Sequence, residues 1–117
     1  MRDDKENTIV KKSLEFAVDI IAFAEELESN KKFVVAKQIL RSGTSIGANI
    51  REAQNAESKA DFIHKMKTAA KEADETGYWL ELCKLSESYP YRETLHEQLM
   101  EIINILSKII SSSKNTQ

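Results

Sequence analysis

The stretch LRSGTSIGANIREA, running from Leu40 to Ala53, admits two readings. Its glycines, Gly43 and Gly47, stand four residues apart among hydroxyl side chains, which suggests a loop that cradles phosphate. A phosphate loop of that kind follows a strand and carries a lysine and then Ser or Thr after its last glycine. Here Ala48 follows Gly47, and the residues on both sides keep helical spacing. Turning about 100° per residue places Ile39, Ile46, Ile50 and Ala53 in one apolar stripe. Arg41, Ser45, Asn49 and Glu52 fall together on roughly the opposite side. The stretch is therefore part of one helix, predicted over 33–54. Glycine costs a helix about 1 kcal/mol relative to alanine, so Gly43 and Gly47 mark places where a neighbouring helix packs closely enough to offset that cost.

Outward from this helix the same periodicity recurs. Upstream, Val10, Leu14, Ala17, Ile21, Ala24 and Leu27 give an apolar face to a helix predicted over 8–28, capped by Asn7 or Thr8 and widened by Phe16, Ile20 and Phe23. Downstream, Ser58 and Asp61 form a capping-box arrangement at the start of a helix over 58–87. Its face is Phe62, Met66, Ala69, Ala73, Thr76, Leu80 and Cys83, and the small residues around it, Gly77 included, signal another close helix approach. Tyr89-Pro90 interrupts, because proline disfavours helix in the residue before it. A last helix over 92–111 buries Leu95, Leu99, Ile102, Ile103, Leu106 and Ile110, and the serine-rich end after it is expected to fray. Four amphipathic segments, short connections and no strand signal predict an all-α fold, a single-domain antiparallel up-down-up-down four-helix bundle over 1–117.

Composition agrees with a small helical domain and excludes several classes. One proline and three glycines among 117 residues leave too few turn formers for a many-stranded sheet. Seventeen basic residues against nineteen acidic give a net charge of -2, without the strongly basic balance of a typical nucleic-acid domain. Cys83 is the single cysteine, so no intrachain disulfide forms. The charged start, Met1 to Thr8, lacks the apolar core of a signal peptide, and no apolar run approaches the about 20 residues of a membrane span. A cytoplasmic protein without membrane association is expected.

The sequence resembles the four-helix-bundle proteins encoded in intervening sequences of 23S rRNA genes, which carry a ribosomal-protein label. The resemblance rests on Lys12-Ser13 with Phe16-Ala17, on Leu40–Ala53, and on KMKTAAKEADETGYWLEL from Lys65 to Leu82, and it covers nearly the whole chain. It implies a homopentameric ring and no established biochemical activity. The chain is also similar to accessory proteins of diversity-generating retroelements, which implies a nucleic-acid-binding basic surface. From that pattern this chain departs in its slightly acidic balance.

Candidate sites follow from the outward positions. Arg41, Ser45, Asn49 and Glu52 form a polar ridge that serves as a binding surface, an interface network or plain solvated surface. Tyr78, Trp79, Leu82 and Leu85 form a second apolar set, expected to be an oligomer interface unless connecting segments cover it. Lys37, Arg41 and Arg51 on one helix, and His64, Lys67 and Lys71 on another, are candidate contacts to RNA or another nucleic acid when repeated around a ring. As isolated charges they simply keep the surface solvated.

Chemistry beyond binding finds little support. Glu93-Thr-Leu-His96 and Asp61-Phe-Ile-His64 have a di-iron-like spacing, but His64 points away from the core stripe and His96 only flanks its own, so no metal site is expected. Cys83 lies in a core stripe, where a thiol is inert. No catalytic residue, cofactor or small-molecule substrate is indicated. A protein-interaction scaffold without any nucleic-acid role is the competing expectation.

Overall fold

The computed structural model describes the backbone of residues 4–115 and the side chains of residues 8–115. Within it four α-helices follow one another: α1 (Asp4–Ser29), α2 (Phe33–Ala53), α3 (Lys59–Leu85) and α4 (Glu93–Asn115). Among the described residues there is no strand. Each helix packs against its neighbours in the chain and α1 also meets α4, while among the described residues neither diagonal pair brings Cα atoms within 8 Å. The helices thus stand at the corners of a square. A cross-section of 20 × 19 Å fits two helices, each about 10 Å across, in either direction.

All four helices bury positions that alternate steps of three and four residues. In α1 these are Ile9, Ser13, Phe16, Ile20, Phe23 and Leu27, and in α2 Ala36, Ile39, Gly43, Ile46, Ile50 and Ala53. In α3 they are Met66, Ala69, Ala73, Thr76, Leu80 and Cys83, and in α4 Leu95, Leu99, Ile102, Leu106 and Ile109. A mean period of about 3.5 residues keeps each seam facing its partners along the full length of a bundle. Leu14 and Ile21, expected in the core of α1, are exposed instead. Both apolar sets of α1 share the same spacing. The set with two phenylalanines removes more area from water, and its Ser13 and Ile20 are the side chains that fit against the glycines of α2.

The ends of the helices also differ from expectation in places. α1 is already helical from Asp4, so neither Asn7 nor Thr8 is its cap, and the side chain of Asn7 lies outside the described residues, as does Met1 to Asp3. α1 closes at Lys31, whose φ of 63° is left-handed, with the Lys31 and Lys32 N–H groups donating to the carbonyls of Glu28 and Leu27 at 2.8 Å each. Ser58 caps α3 by accepting from the Asp61 N–H at 3.0 Å, while the Asp61 carboxylate accepts from the Glu57 N–H rather than from Ser58. α4 does not fray at Ser111: it continues to Asn115, anchored by buried Ile109 and half-buried Ile110, and Thr116 and Gln117 lie outside the described residues. Ile109 takes the core position expected of Ile110, and Phe62 and Ile103 are only half-buried.

The three glycines are not equivalent. A Cβ on Gly43 would stand 2.8 Å from Cγ2 of Ile20, a fully buried, β-branched side chain with little freedom to move. A Cβ on Gly47 would sit 3.4 Å from the Ser13 carbonyl oxygen, and one on Gly77 only 3.5 Å from Leu99 Cδ2, an ordinary contact. Gly43→Ala is therefore expected to destabilise by about 1–3 kcal/mol, since overpacking outweighs the gain in helix propensity. Gly77→Ala is expected to stabilise by up to about 1 kcal/mol. Chemical denaturation of the two variants checks the opposite signs.

Candidate functional site

The polar ridge of α2 faces α3 and is taken up by it. Arg41 forms ion pairs with both Glu72 and Glu75. The pairing pulls the Glu75 carboxyl below its ordinary range, with Arg41 the larger cause and the Trp79 N–H the second. Glu52 pairs with Lys65 at 3.5 Å, so Arg41 and Glu52 each bond across to α3 and not to one another. Ser45 donates to the Arg41 carbonyl at 2.6 Å and Asn49 to the Ser45 carbonyl at 2.9 Å, so both are turned back onto their own helix. This ridge is an inter-helix seam.

Trp79 is half-buried against the core and donates through Nε1 to Glu75 Oε2 at 3.1 Å, which places it inside the Arg41 network. Tyr78 meets it edge-on, ring centroids 5.2 Å apart, and is itself exposed. Leu82 is half-buried and Leu85 exposed beyond them. The set expected as one apolar surface is thus broken: its largest side chain already has intramolecular partners.

A more continuous apolar surface lies on the opposite side. Leu14, Val18 and Ile21 of α1 are 52%, 59% and 44% exposed at helical spacing, and Leu40 of α2 stands beside them in projection. Val10, Leu14 and Ala17 of α1 with Thr44, Gly47 and Ala48 of α2 enclose a groove of about 270 Å³. Gly47 helps to line it, because a residue without a side chain lets the two helices meet. Leu14 and Ile21 of this face belong to the second apolar set of α1 in the sequence, and Val18 extends it.

The six basic candidates divide between two edges. Lys37 is exposed on α2, Arg51 lines the α1–α2 groove, and Arg41 is neutralised as described. His64, Lys67 and Lys71 are exposed on α3. A residue absent from that expectation, Lys114 in the last turn of α4, comes up beside Lys67. Lys114, and less strongly Lys71, hold the Lys67 ammonium below the ordinary lysine range.

Among the described residues no group of three or more His, Cys, Asp or Glu side chains converges as a metal cage would require. Glu93 pairs with Lys84 at 3.7 Å and accepts from Tyr91 Oη at 3.1 Å, while His96 lines a groove between α3 and α4. No described helix is long and apolar enough to cross a membrane. Cys83 is buried, and burial pushes its thiol up to about 11. At about pH 8 the native thiolate fraction is then on the order of one in a thousand, so a disulfide reagent is expected to label Cys83 only after denaturant unfolds the chain. Rapid labelling of the native protein would contradict this placement.

Comparison with known proteins adds an identity to this geometry. No curated protein matches the sequence. A crystal structure of a protein with unknown function from the S23 ribosomal protein family of Bacteroides thetaiotaomicron VPI-5482 superposes with a TM-score of 0.87 at 51% identity, covering 92% of this chain and 98% of that one. The family model described as 23S rRNA-intervening sequence protein matches residues 5–112, nearly the whole of the four helices. This chain belongs to the 23S rRNA-intervening sequence protein family.

Proposed function

We propose that the protein is a non-catalytic assembly protein whose copies associate through the outer face of α1 and α2, and whose assembled form engages RNA. The observation that carries the assembly reading is the row Leu14, Val18, Ile21 and Leu40, apolar and exposed on a helix pair whose inner faces are already packed. Contiguous apolar surface of this kind marks association sites, and covering it removes it from water at about 25 cal/mol per Å². The resemblance sets the expected number of copies at five. Symmetry then repeats each basic side chain once per subunit, so a chain of net charge -2 still offers several cations to one polyanion. The family's connection with 23S rRNA genes makes RNA the ligand to test.

A second reading, a protein-interaction scaffold without a nucleic-acid role, is favoured by the acidic balance and by the loss of Arg41 to Glu72 and Glu75. Salt-dependent RNA affinity separates the two.

Light scattering on purified protein is expected to give an oligomer mass, and the double variant Leu14→Glu, Val18→Glu a monomer with unchanged helical circular dichroism. Both positions are more than half exposed, so the substitutions leave the bundle core untouched. An oligomer that survives them, or falls apart only when Tyr78 and Leu85 are changed, would move the interface to α3.

A further inference from the structure

The α3–α4 edge carries a charge arrangement that the bundle does not use. Lys67 and Lys71 are one turn apart on α3, about 6 Å along the axis, and Lys114 reaches the same place from the antiparallel α4. All three are exposed. The ion pairs among the described residues engage Lys12, Arg41, Lys65, Lys84 and Arg92, each with a carboxylate, and none of these three lysines. Here two lysines on one side of α3 meet a third from α4, and their crowding raises the cost of charging Lys67. Lys114 alone is explained by the free carbonyls at the end of α4, which favour a cation. Those carbonyls do not account for Lys67 and Lys71 converging on it. Asp74, the next outward residue on α3, ends the row.

We propose that Lys67, Lys71 and Lys114 form one phosphate-binding site across the α3–α4 edge, and that its ligand is the phosphodiester backbone of an RNA strand. This rests on the RNA reading above and gives it a location. Lysine suits the task as a point charge on a flexible stem that follows phosphates without reading bases, so sequence preference is not expected from this site. Its place in the square of helices matters as well. The α3–α4 edge lies opposite the α1–α2 face, so copies joined through α1 and α2 leave the lysines open.

The test is fluorescence anisotropy with a labelled single-stranded RNA across a salt series. It uses the wild-type protein, the triple variant Lys67→Gln, Lys71→Gln, Lys114→Gln, and the control Lys37→Gln, a lysine exposed on α2 outside the α1–α2 groove. The triple variant is expected to bind at least about tenfold more weakly, with a slope of log affinity against log salt shallower by about 2 per subunit engaged. The control is expected to stay within about twofold of wild type, and Lys→Arg at the same three positions to retain binding. A triple variant that binds like wild type overturns the site, and loss in the control alone would move the RNA contact to α2 with the RNA reading intact. No binding by the wild type at low salt overturns both.

Discussion

Close approach at α2 is the constraint on which the rest of the bundle depends. On one flank Gly43 lets α1 come in until Ile20 occupies the space a side chain would take, and a Cβ on Gly47 would stand in contact with Ser13. On the other, buried Ser42 lies against buried Thr76 of α3, their hydroxyls 2.9 Å apart. Small side chains on both flanks make α2 the member that α1 and α3 pack around. Gly43 weakens the isolated helix, and the Ile20 contacts that a Cβ would prevent supply the compensation. α4 has no comparable seat and is held by longer side chains, with Gly77 merely touching Leu99.

This arrangement decides which side of α1 is inside and therefore what the protein exposes. With Phe16, Ile20 and Phe23 turned inward, Leu14, Val18 and Ile21 have nowhere to go but the surface. The same geometry places Arg41 over Glu72 and Glu75 and removes a cation from the binding inventory. What remains is a molecule with two unlike edges: an apolar one on α1 and α2, and a cationic end on α3 and α4. An assembly that covers the first and presents the second is consistent with both at once.

Much of the fold was legible because a repeated apolar spacing is a direct consequence of helix geometry. The stripes of α2 and α3 and the Ser58 cap follow from residues a few positions apart. The inner face of α1 was not legible from α1, since Ile9–Leu27 and Val10–Ala24 alternate with the same period; the deciding residues are the glycines of another helix. The place of Trp79 is not legible from α3 alone, since its acceptor Glu75 belongs to a network completed by Arg41 of α2. Lys114 lies in a serine-rich end whose composition alone predicts fraying. Serine lowers helix propensity only modestly, and packed isoleucines one turn earlier carry the helix past it.

The buried hydroxyl pair has one more consequence. A bundle with a strict seven-residue repeat is nearly invariant to sliding one helix along another by seven residues, because apolar side chains again meet apolar side chains. Such a slip would set Ser42 against Ala69 or Cys83, and Thr76 against Val35 or Asn49. It would also carry Ile20 away from Gly43 onto Ala36 or Ile50. A parted hydroxyl pair costs on the order of 1 kcal/mol, and a side chain driven into Ile20 more. Two weak polar atoms and one missing methyl group thereby break the translational degeneracy of the repeat, so that an otherwise interchangeable set of oily contacts selects a single axial alignment.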